Sequence, residues 1–484
     1  MRAFEPGTRT WVAAGSVGAV PVPPLQGALM RDAASVRWAG EDFGHLVHHR
    51  PRAVLRPNEV ADVTAIVSFA GEAGLTVAAR GAGHSTYGQA QAAGGIVIDM
   101  AGLSRIDDVR AEMIRVQAGA LWSDVLDAAL TRGATPPVLT DYLHTTVGGT
   151  LVVGGVGGTS RQHGMQVDAV VELEVVTGTG RLVTCSAQRN RRLFDAVRAG
   201  LGQCGVITSA TLRLIPAPAR VRYYRLYYHD LGAFLADQRR LGELGRADYL
   251  EGQFLPGEPE PGAAGQSWRY LLETAVYYTP PQHPDPTVVP AGLSAQRDEE
   301  DLSYRDFQHR MAPGEAALRV TGEWLCPHPW FAVFVPEENT ADLVGAVLAD
   351  LSAADLGHSG LGLLYPVRTD RLRAPQIRVP ESELAWLFAL LRTAGADDPT
   401  AGLAMVEANR ACYDRAVAQG AIAYPINALP MSPDDWRAHF GPRWAQLKTA
   451  KKEFDPHGIL NPGPGIYPRV FTPRASPLSA AGRE

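Results

Sequence analysis

A histidine in a glycine-rich turn is the residue best placed to do chemistry at a bound cofactor. The stretch RGAGHSTYG sets His84 beside Gly81, Gly83 and Gly88, between two apolar segments that predict strands. Glycine allows the backbone to approach a bulky group closely. Glycine-rich loops also turn backbone N–H groups toward phosphates. A second glycine-rich stretch, TVGGTLVVGGVGGTS, occupies 146–160, so a large phosphate-bearing cofactor laid across both loops is predicted.

The first turn departs from the dinucleotide-binding pattern G-x-G-x-x-G. Thr86 stands where the third glycine would be, and the turn lies between strands instead of opening a helix. Both departures argue against a Rossmann site. From the residue types alone, a structural, hydrogen-bonded His84 remains the alternative to a functional one.

The composition is that of an enzyme-sized globular chain. Its 484 residues are 46% hydrophobic, which is enough for a large core and two domains. The charged fraction of 20% and the net charge of -6 indicate neither nucleic acid nor membrane as a partner. No apolar run reaches transmembrane length. The N-terminal apolar patch is interrupted by Gly and Pro and has no clear cleavage site, so a cytoplasmic location is predicted, with secretion left open.

Neither the cysteines nor a histidine cluster predicts a metal site. The cysteines are far apart and form no C-x-x-C pair, which predicts free buried thiols; they are Cys185, Cys204, Cys326 and Cys412. His45, His48 and His49 lack carboxylates at a fixed spacing. We therefore expect no bound metal.

The elements around the first turn form an α/β unit. AVLRP predicts a strand, the helix over 58–74 is capped by Asn58, and LTVAAR and GGIVIDM predict the strands on either side of His84. Further on, AVVELEVVTGTGRLVTCS predicts a hairpin that turns at 178–180. After IPAPAR the sequence becomes rich in Trp and Tyr, and ESELAWLFALLRTAG predicts an amphipathic helix. This change marks a second domain.

An ordered set of motifs resembles one flavoprotein family. RGAGHSTYGQAQAAGGIVIDM is similar to the flavin-attachment region of the vanillyl-alcohol oxidase and p-cresol methylhydroxylase superfamily, and more narrowly to that of the cytokinin dehydrogenases (cytokinin oxidases). PPVLTDYLHTTVGGTL resembles that family's W-T-D-Y-L-x-x-T-V-G-G-T-L block. GLGQCGVIT, DYLEG, PHPW and EFDPHGILNPG follow in the family's order. The resemblance covers about 45–465, and the set is far more specific than a single G-H-S.

The resemblance implies a fold and a domain division. The expected fold class is α+β, a two-domain vanillyl-alcohol-oxidase-type FAD-binding fold whose substrate domain is an antiparallel sheet with helices. The implied FAD-binding domain is 1–218 and the substrate domain is 219–440. The segment 441–484 is expected to return to the FAD-binding domain.

The resemblance also implies FAD, bonded covalently to His84. Relatives of the berberine-bridge type carry a second flavin linkage through a cysteine whose place is taken here by His144, so a single covalent bond is expected. The other residues implied to contact the cofactor are Gly81, Ala82, Gly83, Ser85, Gln89, Asp141, Thr146, Gly148, Gly149, Gly154, Gly158, Val206 and Ile207.

The implied reaction removes hydride from the carbon beside the N6 nitrogen of an N6-substituted adenine. An imine forms, and water cleaves it to adenine and an aldehyde.

Asp141 matches the family's aspartate that accepts the substrate N–H proton; the alternative is a carboxylate that caps a turn. Glu273, in WRYLLETAVYY, is assigned to hold the purine, with the solvent face of a strand as the alternative. Glu251, in DYLEG, is the competing acid.

The aromatic residues Trp324 and Trp330 are predicted to line the substrate pocket. A rigid turn that fills the core accounts equally well for Trp330.

Two departures from the family affect the substrate assignment: PGP at 462–464 replaces P-G-Q, and YPINALP at 424–430 replaces a P-H-Y segment. Another amine or alcohol of bacterial specialised metabolism is thus the second candidate substrate, and a non-catalytic flavin-binding protein is the third hypothesis. The electron acceptor is expected to be oxygen or a quinone.

Overall fold

The chain folds into two sheet systems with helices packed against them. The structure is a computed structural model that describes residues 2–258, 266–285, 287–290, 292–293, 296–396, 398 and 400–467. Its strands are β1 (Arg2–Glu5), β2 (Thr10–Ala13), β3 (Val20–Pro21), β4 (Ala28–Met30), β5 (Ala53–Arg56), β6 (Val77–Arg80), β7 (Ile96–Asp99), β8 (Ile106–Val109), β9 (Met113–Gln117), β10 (Ala134–Thr135), β11 (Val170–Val176), β12 (Leu182–Ser186), β13 (Val206–Arg213), β14 (Ile215–Pro216), β15 (Arg220–Tyr228), β16 (Tyr249–Pro256), β17 (Trp268–Tyr278), β18 (Gln296–Ser303), β19 (Phe331–Pro336), β20 (Leu361–Arg368), β21 (Leu384–Leu391) and β22 (Ile422–Ala423).

Helices connect most of these strands. They are α1 (Ala33–Ala39), α2 (Val60–Ala73), α3 (Trp122–Leu130), α4 (Val147–Leu151), α5 (Ser160–His163), α6 (Arg191–Val197), α7 (Leu231–Leu244), α8 (Tyr304–Gln308), α9 (Ala312–Thr321), α10 (Thr340–Asp350), α11 (Ala353–Leu356), α12 (Ala401–Ala418), α13 (Pro433–Phe440) and α14 (Trp444–Phe454). Within the described ranges, no helix is both long and apolar enough to cross a bilayer.

The first half of the chain carries the glycine-rich loops on two sheets. The sheet β4-β5-β7-β6 pairs β7 in parallel with β5 and β6, and the His84 turn joins β6 to β7. The antiparallel sheet β12-β11-β13-β9-β8 lies beside it. The predicted α/β unit and the β11–β12 hairpin are confirmed.

The start of α2 differs from the prediction that Asn58 caps it. The helix begins at Val60 after Glu59, and the carboxylate of Asp62, in its first turn, accepts the backbone N–H groups of Asn58 at 2.8 Å and of Glu59 at 3.2 Å. The side chain that satisfies the free N–H groups thus comes from inside the helix, as in a capping box. The prediction was wrong because it considered only the residue before the apolar stripe.

The second half of the chain builds one eight-stranded antiparallel sheet. The strand order is β18-β15-β17-β16-β20-β21-β19-β22. Helix α7 packs on one face, where Phe234 contacts Tyr270 at 5.1 Å between ring centroids. This arrangement agrees with the expected antiparallel-sheet-plus-helices unit.

The predicted helix in ESELAWLFALLRTAG is wrong, because its core is strand β21, Leu384–Leu391. Leu387, Ala389 and Leu391 line a cavity, whereas Phe388 points to the other face and stacks with Phe254 at 6.1 Å. Because a central strand is apolar on both faces, its sequence shows no alternation and resembles a buried helix.

The C-terminal segment returns to the first half of the chain. Val77 of β6 donates to the carbonyl of Ile459 at 2.8 Å, and its own carbonyl accepts from Asn461 at 2.8 Å. The buried ammonium of Lys451 donates to the carbonyls of Gln203 at 2.9 Å and Leu460 at 3.0 Å. Residues 468–484, the end of the expected third segment, lie outside the described residues.

Lys451→Met should destabilise the protein strongly. Lys451 forms an ion pair of 2.7 Å with the fully buried carboxylate of Asp455. Removing one partner of a buried pair typically costs about 3–5 kcal/mol, because the other charge stays buried without compensation. Thermal unfolding should show a clearly lower midpoint for this variant and an unchanged midpoint for Lys452→Met, whose side chain is exposed. Equal midpoints would contradict this role.

All four cysteines are buried and free, as expected. Among the residues that the structure describes, no group of three or more His, Cys, Asp or Glu side chains is placed to hold a metal ion.

Candidate functional site

A large cavity lies between the glycine-rich loops and the eight-stranded sheet. Its volume is about 1320 Å³, and a second cavity of about 60 Å³ adjoins it. Among the residues predicted from the sequence, the large cavity is lined by Gly81, Ala82, Gly83, His84, Ser85, Gln89, Asp141, Thr146, Gly149, Trp324 and Trp330. The small cavity is lined by Gly81, Thr146, Gly148, Gly149, Val206 and Ile207.

Three predicted residues lie away from both cavity walls. A Cβ atom on Gly158 would lie 2.4 Å from the ring of Tyr249, and one on Gly154 would lie 2.7 Å from the sulfur of Met165. Both glycines therefore allow close packing behind the cavity. Glu273 lies in a buried cluster of acids next to the wall.

The first glycine-rich loop is a rigid cradle of free backbone donors. The N–H groups of Ala82, Gly83, His84 and Ser85 donate to no protein acceptor in the described part of the chain. The buried carboxylate of Asp42 fixes the loop from behind, because it accepts the Ser85 hydroxyl at 3.1 Å and another loop N–H. Burial raises the pKa of Asp42 to about 6. Consecutive free N–H groups form a nest suited to phosphate oxygens.

The two glycine-rich loops touch each other. A Cβ atom on Gly81 would lie 2.0 Å from the hydroxyl of Thr146, which caps helix α4 by accepting the N–H of Gly149 at 3.3 Å. Only glycine permits this approach. Both loops consequently face the same space, as a cofactor laid across them requires.

The His84 ring is held between aromatic side chains at the cavity wall. Its centroid lies 4.2 Å from that of Phe43, 4.6 Å from Tyr142 and 5.5 Å from Trp330. Burial lowers the pKa of His84 to about 3, so the imidazole is neutral near pH 7. A neutral imidazole has a lone pair free for bond formation.

These features fit FAD. The free N–H nest suits the pyrophosphate, the joined cavities have the size for a dinucleotide, and the neutral imidazole of His84 lines the large cavity. The residues that would hold the cofactor are those of the two loops.

Asp141 lies at the cavity wall in an unusual charge environment. Its Oδ1 atom accepts from the Tyr249 hydroxyl at 2.9 Å and from the Arg310 guanidinium at 2.5 Å. Burial alone would raise the pKa of Asp141, but the Arg310 charge and the hydrogen bonds outweigh it, and the pKa lies below its ordinary value. Asp141 is therefore an ionised carboxylate at neutral pH.

Glu251 is the acid that contacts Asp141. It lies on β16, directly opposite Glu273 on β17, and is 1% exposed. Burial, followed by the charge of Asp141, raises the pKa of Glu251 well above its ordinary value. Glu251 is therefore protonated at neutral pH and can donate a hydrogen bond to the ionised Asp141.

The sequence reading missed two members of this cluster. Tyr249 lies two residues before Glu251 in DYLEG, so strand alternation puts both side chains on the same face, and that signal was available. Arg310 follows α8 in no recognisable motif, and its 3.9 Å contact with Glu251 and 3.8 Å contact with Glu273 arise only in the folded chain.

Trp324 and Trp330 lie beside the His84 ring, as predicted for an aromatic wall. Trp324 also carries Arg319 over its ring at 4.6 Å. Helix α9 extends this side of the cavity, and none of its residues is buried.

Family models and relatives show which family this chain is similar to. Residues 51–186 match the model of an FAD-binding domain, and 261–467 match one described as cytokinin dehydrogenase 1, FAD and cytokinin binding. An uncharacterized oxidoreductase, ORF5 in the fasciation locus of Rhodococcoides fascians, is 44% identical over 91% of this chain and 99% of its own length. Cytokinin dehydrogenase 10 of Oryza sativa subsp. japonica is 38% identical over 89% of this chain and 86% of its own. Cytokinin dehydrogenase 2 of Arabidopsis thaliana is 34% identical over 91% and 93%.

The fold and the cradle thus define an FAD-dependent oxidoreductase with an FAD-binding unit and a separate small-molecule-binding sheet, as the fold prediction states. The chain belongs to the cytokinin dehydrogenase family. The third hypothesis, a non-catalytic flavin-binding protein, is not supported by these relatives.

Proposed function

We propose that this protein oxidises an N6-substituted adenine, a cytokinin, at the carbon next to N6. The observation that carries the proposal is the ionised, partly buried Asp141 at the cavity wall next to the His84 loop. Bound FAD supplies acceptance of the hydride. The substrate loses hydride from carbon and a proton from nitrogen, and water cleaves the resulting imine to adenine and an aldehyde.

Asp141 acts as the acceptor and base for the substrate N–H. Arg310 keeps it ionised, and because Glu251 is already protonated, the Asp141 carboxylate is the member of the pair that takes up the substrate N–H proton. A general base within hydrogen-bond reach of its proton typically accelerates such a step by about 10²–10⁴-fold. Glu251 is the supporting acid here, because it contacts Asp141 directly and Glu273 does not line the cavity.

We also propose that the flavin is bonded covalently to His84 alone. The neutral His84 imidazole faces the cavity. His144 occupies the place of a second linkage, and its Nδ1 atom lies 3.2 Å from the Glu315 carboxylate instead. The proposed electron acceptor is oxygen or a quinone, and the proposed location is the cytoplasm.

A different amine or alcohol is the second candidate substrate. The two segments that depart from the family both reach the cavity, through Ile426, Asn427 and Leu429 on one side and Pro464 on the other. Because these residues differ from those of the family, they change the shape of the cavity that a substrate must fit, which favours a different substrate.

Product analysis separates the two candidates. The purified holoenzyme is incubated with N6-isopentenyladenine and, separately, with a panel of simple amines and alcohols, each with oxygen or a quinone. Release of adenine and an aldehyde supports the first candidate. Turnover of the panel without release of adenine would contradict it and favour the second.

Arg310→Leu should move the pH dependence of the reaction. Arg310 lowers the pKa of Asp141, so its removal raises that pKa, and the base becomes protonated at higher pH. The acid limb of the kcat/KM profile should therefore shift to higher pH. Arg305→Leu removes a nearby exposed arginine that pairs with Asp127 and should leave the profile in place. An unshifted limb in Arg310→Leu would show that Asp141 does not control it.

A further inference from the structure

Gln253 is a polar side chain in an aliphatic part of the cavity wall. It lies on β16 two residues after Glu251, on the same face of the strand, and pairs across the sheet with Leu363 of β20. Leu363, Leu361 and Leu391 line the wall beside it. Its amide has two donors on Nε2 and an acceptor on Oε1, and both kinds of group call for hydrogen-bonding partners.

Glu273 holds that amide in one orientation. The Gln253 Nε2 atom donates to one carboxylate oxygen of Glu273, and the Tyr223 hydroxyl donates to the other. These two hydrogen bonds favour the ionised form of Glu273, and the Arg310 Nε atom at 3.8 Å stabilises its charge. Because the amide nitrogen is turned toward Glu273, the Gln253 Oε1 atom is turned away from it. Within the described chain, this oxygen accepts no hydrogen bond.

We propose that Gln253 is a specificity-determining residue whose Oε1 atom accepts a hydrogen bond from a second donor of the substrate, and that Glu273 is the positioning residue that keeps this acceptor turned to the cavity. The inference rests on the proposed function and extends it. It also gives Glu273 a role that fits its location behind the wall.

The spacing indicates which donors can meet Gln253. Residues two apart on a strand are separated by about 7 Å, and Glu251 reaches Asp141, where the reacting N–H binds. The second donor therefore lies several ångströms from the reacting nitrogen. In an N6-alkyladenine, two groups satisfy this: the imidazole N–H of the purine, and a hydroxyl at the end of the N6 side chain.

Two substrate pairs distinguish these sources. The first pair is N6-isopentenyladenine and its N9-methyl derivative, which lacks the ring N–H. The second is the hydroxylated side-chain analogue and N6-isopentenyladenine. In the wild type, kcat/KM should favour the donor-bearing member of one pair by about tenfold or more, because a substrate that lacks the donor leaves the Gln253 oxygen unpaired. The pair that shows the preference identifies the donor.

Gln253→Leu should abolish that preference, whereas Gln446→Leu, an exposed glutamine, should retain it. A wild type with no preference in either pair, or a Gln253→Leu variant that keeps the wild-type ratio of kcat/KM values, would overturn the proposal.

The wild type is assayed first. If the wild type releases no adenine from N6-isopentenyladenine, the proposed function fails and the inference fails with it. If it releases adenine, the proposed function stands whatever substrate preference the Gln253→Leu variant shows. The flavin absorbance of each variant verifies folding.

The pH dependence tests the role of Glu273 separately. Burial raises the pKa of Glu273 to about 7, against the opposing charge of Arg310. As the pH falls through this value, Glu273 becomes protonated and can donate to the Gln253 Oε1 atom. This oxygen can then face Glu273 and is no longer held toward the cavity. The other titratable or charged groups that face Glu273 are Tyr223 and Arg225 on β15, Glu251 directly opposite it on β16 and, beyond Arg310, Asp141.

KM for the donor-bearing substrate should therefore rise below about pH 7, with kcat less affected. The Glu273→Gln variant should not show this rise in KM, because its amide does not titrate. A purely structural Glu273 would not give a KM step at this pH. A step of the same size in Glu273→Gln would overturn the positioning role.

Discussion

Asp141→Asn lowers the rate constant of flavin reduction by substrate about 10³-fold, within the range expected when a general base is removed. Asparagine retains the size of the side chain and can still contact Tyr249 and Arg310, but it cannot take the proton of the substrate N–H. The measurement is anaerobic stopped-flow absorbance of the holoenzyme mixed with N6-isopentenyladenine. The visible spectrum of the resting flavin should be the same in variant and wild type.

Asp127→Asn is the matched control for this variant. Asp127 is an exposed aspartate that pairs with Arg305 at 2.7 Å, outside the cavity. Its replacement should leave the rate constant unchanged. If Asp141→Asn reduced its flavin as fast as the wild type does, Asp141 would not be the base, and the Asp141–Glu251 pair would have no catalytic part.

His84→Ala should convert a flavin that stays with acid-precipitated protein into one that is released completely. The alanine side chain has no nitrogen with which to bond the flavin, whereas the neutral imidazole of His84 at the cavity wall does. Denatured protein cannot retain a cofactor held only by the nest and the cavity. The measurement compares flavin absorbance in the supernatant and in the redissolved pellet, together with the intact mass of the protein.

His144→Ala provides the histidine control. The side chain of His144 is 46% exposed and pairs with Glu315, so its loss should leave the flavin in the pellet. Release of flavin from the wild type would show that there is no covalent bond. Retention in His84→Ala would show that another residue forms it.

The strands around the cofactor loops could be predicted because local signals agree there. Apolar runs bounded by glycine gave β6 and β7 on either side of His84, and a glycine turn gave the β11–β12 hairpin. Strand β21 could not be recognised, since both of its faces are apolar, one against Phe254 and the other on the cavity. Periodicity does not distinguish such a strand from a buried helix.

The sequence named the acids of the cluster, but their arrangement became clear only in the folded chain. Motif order placed Asp141 in the site, and the structure does bring it to the cavity wall. The choice between Glu251 and Glu273 could not be made from sequence, because it depends on the register of β16 and β17, which sets the two acids opposite each other. Arg310 joins them from the turn between α8 and α9, and its effect on the Asp141 pKa exists only once the chain has folded.

The most direct test of the account is anaerobic mixing of the purified holoenzyme with N6-isopentenyladenine while the visible absorbance of the flavin is followed. Rapid bleaching is expected, with adenine and an aldehyde as the products. An unbleached flavin in the presence of this substrate, in a protein that another amine or alcohol does bleach, would contradict cytokinin oxidation as the function of this cavity.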